Sequence, residues 1–163
     1  MAVDMFLKID GIDGESTDDK HKKWIEIENF NHSVSQPVSA ASRTGGRTGG
    51  RADFADVAIT KTIDMATPSL YLHCSNGKHI PKVELEFCLA TGDKHTFMKY
   101  TLEDVIVSSV SPSGTSAADG AKPGEQVTFA YGKITWEYTP IDNAGRPGAS
   151  QRKAWDLEAN KQM

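Results

Sequence analysis

Cysteine is scarce: only Cys74 and Cys88 occur in 163 residues. That excludes a disulfide-stapled scaffold, which would be far richer in Cys. The two thiols read as reduced, small buried hydrophobes. Long apolar runs are missing too. Nothing approaches the roughly 18 residues that a spanning helix needs, so no membrane insertion is expected. Positive charge is not in excess, with 18 Lys and Arg against 22 Asp and Glu, a net charge of −4. A general nucleic-acid binder would usually be basic. The first residues, Met1 to Gly11, carry Asp4 and Lys8 and no apolar stretch typical of a secretory signal peptide. A cytoplasmic start is expected, and any export would need another route.

Catalytic signatures are equally thin. The chain has no G-x-S-x-G elbow, no phosphate loop ending in Gly-Lys-Ser/Thr and no G-x-G-x-x-G. Ser75 and Lys78 match S-x-x-K, but Gly77 is expected to end a helix between them. Five histidines are present without C-x-x-C or H-x-x-x-H spacing. A metal site from His79, Cys88 and His95 would need a special geometry, and hydrogen-bonding or surface histidines are the plainer reading. No enzyme activity, metal or cofactor is expected.

What is present is alternation with period two in a chain of one-domain size, residues 1–163, with 38% hydrophobic and 25% charged residues. Val3, Met5, Leu7 and Ile9 share one strand face. Ile25 and Ile27 alternate with Glu26 and Glu28, and Asn31 to Ser35 reads as a polar extension of that strand. Ala55, Val57 and Ile59 mark another. Val83, Leu85, Phe87 and Leu89 alternate with Glu84, Glu86 and Cys88, where the paired carboxylates read as a solvated face or one facing another subunit. Thr91 to Lys94 is a turn into Thr96, Met98, Tyr100 and Leu102, a hairpin. Val105 to Val110 continues the meander, and Ser111 to Gly124 is a soft loop. In the next strand Val127 and Phe129 occupy odd positions and Ile134 and Trp136 even ones, so a bulge is expected at Gly132-Lys133. Gln151 to Leu157 is a last strand. One helix is expected, with Thr67 as N-cap, Pro68 at its first turn and Gly77 as the left-handed stop. About eight strands and a short helix imply a mainly β fold, a β-barrel or a tight sandwich.

The stretch 36–52 is a long extended loop with no bulky core former after Val38. It contains the repeat Arg-Thr-Gly-Gly, which spaces Arg43, Arg47 and Arg51 four residues apart. Arginine–glycine segments can bind RNA, but aromatic stacking platforms are missing here. An arm that orders against a neighbouring subunit explains the segment better, because arginine is common at interfaces.

Several segments, taken in order, resemble the haemolysin-coregulated proteins, Hcp, of the bacterial type VI secretion system. They are Met1-Ala-Val-Asp-Met-Phe-Leu-Lys-Ile9 with Gly14-Glu-Ser16, Ile59-Thr-Lys-Thr-Ile-Asp64, Thr67-Pro-Ser-Leu70, Cys74-Ser-Asn-Gly-Lys-His79, Leu102 to Val110, Phe129 to Tyr138 and Ala154-Trp-Asp156. The resemblance implies a β-barrel built from two sheets with a flanking helix. It also implies homohexameric rings that stack into a phage-tail-like tube. Implied partners are a contractile sheath, a valine-glycine repeat spike protein and small effector proteins held in the ring lumen. Implied too is release from the cell without a signal peptide.

Under this resemblance Asn31, Ser33 and Ser35 would face the lumen, and Arg43, Arg47 and Arg51 would belong to a ring-stacking arm. With only residues 158–163 after the last expected strand, no fused toxin domain is expected. Two rival readings differ in kind. A monomeric small-molecule-binding barrel would need an apolar interior cavity. A cupin-like enzyme would need clustered histidines around a metal.

Overall fold

The computed structural model describes residues 2–39, 48–90 and 92–163. Strand β1 (Val3–Ile9) pairs antiparallel with β2 (Ile25–Ile27), and β3 (Asn29–Asn31) follows after a bend at Glu28. A two-residue pair, β4 (Val34–Ser35) and β5 (Asp53–Phe54), forms a small second sheet. Next come β6 (Val57–Thr62), helix α1 (Thr67–Asn76) and β7 (Ile80–Leu89). The two longest strands are β8 (Thr96–Ser113) and β9 (Gly124–Tyr138), followed by β10 (Gln151–Asp156) and β11 (Lys161–Gln162).

The main sheet has nine strands, in the order β11-β10-β9-β8-β7-β1-β2, with β6 pairing β9 on one side and β3 on the other. The sheet branches at β9 and so has three ends; two of them, β2 and β3, are adjacent in sequence, and the Glu28 N–H between them donates to the Thr60 carbonyl of β6 at 2.8 Å. The path is therefore brought back on itself across a bend rather than by a continuous ladder. The fold is mainly β with two sheets and one short helix, as expected, but the second sheet is only a ribbon. The extra strands beyond eight are short ones that a two- or three-residue pattern cannot announce.

Alternation explains the core. Leu7, Ile9, Ile25, Ile27, Val57, Ile59, Val83, Leu85, Val127 and Phe129 are buried at every second position of their strands. Leu70 docks the helix on them and is fully buried. Phe6 breaks the expected pattern: it lies on the opposite face of β1 yet is 3% exposed. The segment 10–24 folds over that face and stacks His21 on the Phe6 ring, centroids 4.2 Å apart. For the same reason Glu84 and Glu86 are not a solvated face. Lys99 from β8 reaches both, at 3.1 and 3.6 Å, and His21 bonds Glu86.

Other expectations need correction. The strand through Trp24 does not run on to Ser35, because the chain turns at Glu28 to leave β1 and join β6. Burial does switch phase near Gly132, but the register there is unbroken, with Glu103 opposite Lys133 and Val105 opposite Tyr131. Both strands flip together where Asp104 takes a left-handed φ of 53°. The register shift lies instead in β8, between Val107 and Ser109. The soft loop after Val110 begins later than expected, because Ser111 to Ser113 still pair with Gln126 to Gly124. Backbone bonds need no apolar side chain. The helix has Ala66, not Thr67, at its N-cap, while Gly77 closes it as expected with φ 62°. Thr67 is diverted to a buried ion cluster described below.

Candidate functional site

The long loop is not free at its base. Val38 bridges Gly49, Ser39 N–H donates to Thr48 O at 3.2 Å, and Gly50 N–H donates to Pro37 O at 3.0 Å. The Gln36 side-chain amide adds a bond to Gly50 O at 3.0 Å. With β4 and β5, these bonds extend an antiparallel ribbon away from the sheet. Its valines are poorly covered, Val34 at 46% and Val38 at 57% exposure. Arg43 and Arg47 lie outside the described residues. Arg51 turns back on its own chain and donates to Leu157 O at 2.9 Å. There it borders a small pocket of about 190 Å3 with Phe54, Trp155 and Asn160.

Asn31, Ser33 and Ser35 are all exposed. Asn31 sits in β3 opposite Ala58, Ser33 accepts the Ala55 N–H through its carbonyl at 3.0 Å, and Ser35 pairs with Asp53 in the ribbon. These three are brought to one continuous segment but not to one straight strand. Between them His32 turns inward. Its Nε2 meets the Tyr131 hydroxyl at 2.6 Å, and that hydroxyl donates to Ala55 O at 2.8 Å. A phenol has one hydrogen, so Nε2 must be the donor to Tyr131. Burial lowers the His32 pKa from its ordinary value. Burial, and then Asp56, push the Tyr131 phenol up.

The histidines are mostly hydrogen-bonded, as the sequence suggested. His73 contacts Ser69 O and His79 contacts Asp104, each at 2.7 Å. His79 cannot share a site with Cys88: it precedes β7, and Cys88 lies nine residues on, along an extended strand that rises about 3.3 Å per residue. Ser75 donates to Tyr71 O and Gly77 ends the helix before Lys78, so S-x-x-K forms no pair. The better-formed cavity is a surface groove of about 590 Å3, bordered by Asp4, Glu15, Asp18, Glu26 and Lys94 among others. It is no apolar barrel interior; the interior is filled by Leu7, Ile25, Ile59, Leu85, Leu102 and Phe129.

Against known proteins, the profile of the family described as "Type VI secretion system effector, Hcp" matches residues 6–138. The chain belongs to the Hcp family. It is 35% identical over 99% of its length to Protein hcp1 of Pseudomonas aeruginosa, and covers 99% of that protein. It is 28% identical to the "Major exported protein" of the same organism, covering 81% of this chain and 78% of that one. Among solved structures it is similar to a type six secretion system protein, with TM-score 0.94, 39% identity, and 99% and 100% of the two chains covered. It is also similar to Hcp1 from Salmonella typhimurium, with TM-score 0.82, 35% identity and both chains fully covered.

One feature of this Hcp-family chain has no sequence motif of its own, though Lys61, Asp64 and Thr67 lie within the segments that resemble the family. Lys61 and Glu125 are fully buried and face each other across the β6–β9 ladder, Nζ to Oε1 3.4 Å. The ammonium donates to Asp64 Oδ1 at 2.8 Å, Thr67 Oγ1 at 3.2 Å and Thr62 O at 3.3 Å. Thr67 passes its own hydrogen to Glu125 Oε2 at 2.9 Å and accepts the Asp64 N–H at 3.1 Å. This cluster pins the start of the helix to the sheet. A signal existed: Lys61 keeps step with buried Val57 and Ile59, and Glu125 with Val127 and Phe129. The alternation had placed both charges on the core face.

Proposed function

We propose that the chain is the building block of a type VI secretion inner tube. Six copies close a ring, rings stack, and the tube is ejected by a contractile sheath behind a valine-glycine repeat spike. In this reading the protein is made in the cytoplasm, leaves the cell through the tube it builds, and can shelter small effector proteins in the ring lumen. Its role is structural and not enzymatic. The observation that carries the reading is the end-to-end similarity to Protein hcp1, over 99% of both chains. The physical character of the surface supports it. A ribbon that leaves Val34 and Val38 exposed along its edges is a surface that a lone soluble protein normally covers. Head-to-tail contacts that close by rotation would cover it.

Asn31, Ser33 and Ser35 are the proposed lumen-facing residues, and Asn31 the first choice for cargo contact. The loop carrying Arg43, Arg47 and Arg51 is the proposed stacking arm. Light-scattering mass with negative-stain images tests the ring: six subunits in an annular particle is the expected result. A well-folded monomer at every concentration would overturn it. Deleting 44–50 should leave rings intact and weaken tubes, and unaltered tubes would refute the arm. Asn31→Gln should reduce the stability of a co-expressed cargo; no change would remove Asn31 from the lumen contact.

A further inference from the structure

Beneath the segment 10–24 three different metal-ligating groups converge. His21 Nε2 lies 2.7 Å from Glu86 Oε2 and 3.7 Å from Cys88 Sγ. All three donor atoms fall within 4.8 Å of one another. Cys88 is fully buried and His21 is 2% exposed, while Glu86 keeps a small opening to solvent. Sequence spacing could not show this, because the histidine comes from a loop 65 residues before the glutamate. The strand supplies the other two: Glu86 and Cys88 are two apart on β7 and share a face.

The surroundings are those of an oriented ligand set. The second ring nitrogen, Nδ1, faces Asp18 Oδ2 at 2.8 Å. A carboxylate on the far nitrogen is the usual means of fixing the orientation of a ligating imidazole. Asp18 is itself neutralised by Lys94, 2.6 Å away. Phe6 stacks on the imidazole and Trp24 meets it edge-on. Thr96 Oγ1 stands 3.1 Å from Glu86 Oε2 and 3.4 Å from the thiol, so both are already oriented by hydrogen bonds.

We propose that His21, Glu86 and Cys88 form a zinc(II) site, with Asp18 as a positioning residue. Ion entry displaces the thiol hydrogen, and any hydrogen on Nε2, to solvent. The dication is then met by the Cys88 thiolate and the Glu86 carboxylate, which together balance its charge, with the imidazole as a neutral third ligand. Thiolate and imidazole together favour zinc over magnesium or calcium, which prefer oxygen donors. Three protein ligands leave a fourth, tetrahedral position for water on the Glu86 side.

Cobalt(II) titration of the full-length, metal-stripped chain tests the site, because cobalt bound to a thiolate absorbs in the near ultraviolet and zinc does not. One equivalent of cobalt should produce the thiolate band, and zinc should abolish it. Cys88→Ser should lose the band and Cys74→Ser should keep it. Asp18→Asn should weaken affinity by about 10- to 100-fold, as loss of such a supporting carboxylate does elsewhere. Circular dichroism confirms that each variant is folded, and Cys88→Ala replaces Cys88→Ser if the latter is not. Absence of the band in excess cobalt, or a band that survives loss of the Cys88 thiol, would overturn the assignment. Ring formation is read separately by mass, so the two proposals fail independently.

Discussion

Replacing Lys61 by Met keeps most of the side-chain volume and removes only the ammonium. Glu125 Oε1 already has no hydrogen-bond donor, and its compensation is the charge of Lys61 Nζ 3.4 Å away. Without that charge, a fully buried carboxylate retains only the Thr67 hydroxyl, on its other oxygen. Removing one partner of a buried ion pair costs about 3–5 kcal/mol. Lys61→Met and Glu125→Met should each fall in that range. The double variant leaves no orphaned charge in the pair. It should recover much of the loss, giving a coupling of about 2–3 kcal/mol, at the upper end of what contacting residues show. Asp64 and Thr67 lose a donor in both backgrounds, so their contribution largely cancels in the cycle. The assay is urea unfolding followed by tryptophan fluorescence from Trp24, Trp136 and Trp155. Protein concentration is held fixed, because assembly would link apparent stability to it. Single variants costing under about 1 kcal/mol, with additive effects, would place the cluster outside the range of a desolvated pair and refute the reasoning.

Three further outcomes follow from local geometry. A Cβ at Gly14 would lie 2.5 Å from Trp24 O and 2.7 Å from Ile25 Cα, both backbone atoms. Gly14→Ala should therefore destabilise strongly and disturb the 10–24 segment, and a melting temperature within a degree of the parent would contradict this. Gly77→Ala meets no neighbour within 4 Å, so only the left-handed φ of 62° is at stake. A loss of about 1–2 kcal/mol in chemical denaturation is expected. His32 has its pKa lowered by burial, so the unfolded chain takes up that proton first. Its contribution to stability is complete above the ordinary value of 6.5 and is lost as pH falls from there toward the folded-state value. His32→Gln should show a shallower decline in melting temperature between pH 7 and pH 5 than the parent; identical slopes would exclude His32 as a source.

Period-two alternation was sufficient to determine that the protein is mainly β and where most of its strands run, and Pro68 and Gly77 were sufficient to bracket one short helix. Such information is local, because a strand's inward face is written every second residue. Order and spacing of motifs also sufficed for the family. The sequence left Phe6 on the outer face of β1, since nothing local announces that residues 10–24 return to cover it. For the same reason Glu84 and Glu86 read as a solvated face or one facing another subunit, whereas Lys99 and His21 of the same chain partner them. Thr67 fitted the N-cap rule, but a buried carboxylate 58 residues later offered its hydroxyl a stronger partner. Tertiary structure alone decided the meeting of His21 with Glu86 and Cys88, and of Lys61 with Glu125. Each joins groups separated by more than sixty residues, and chain-local patterns carry no distance between such groups until the sheet has fixed its register.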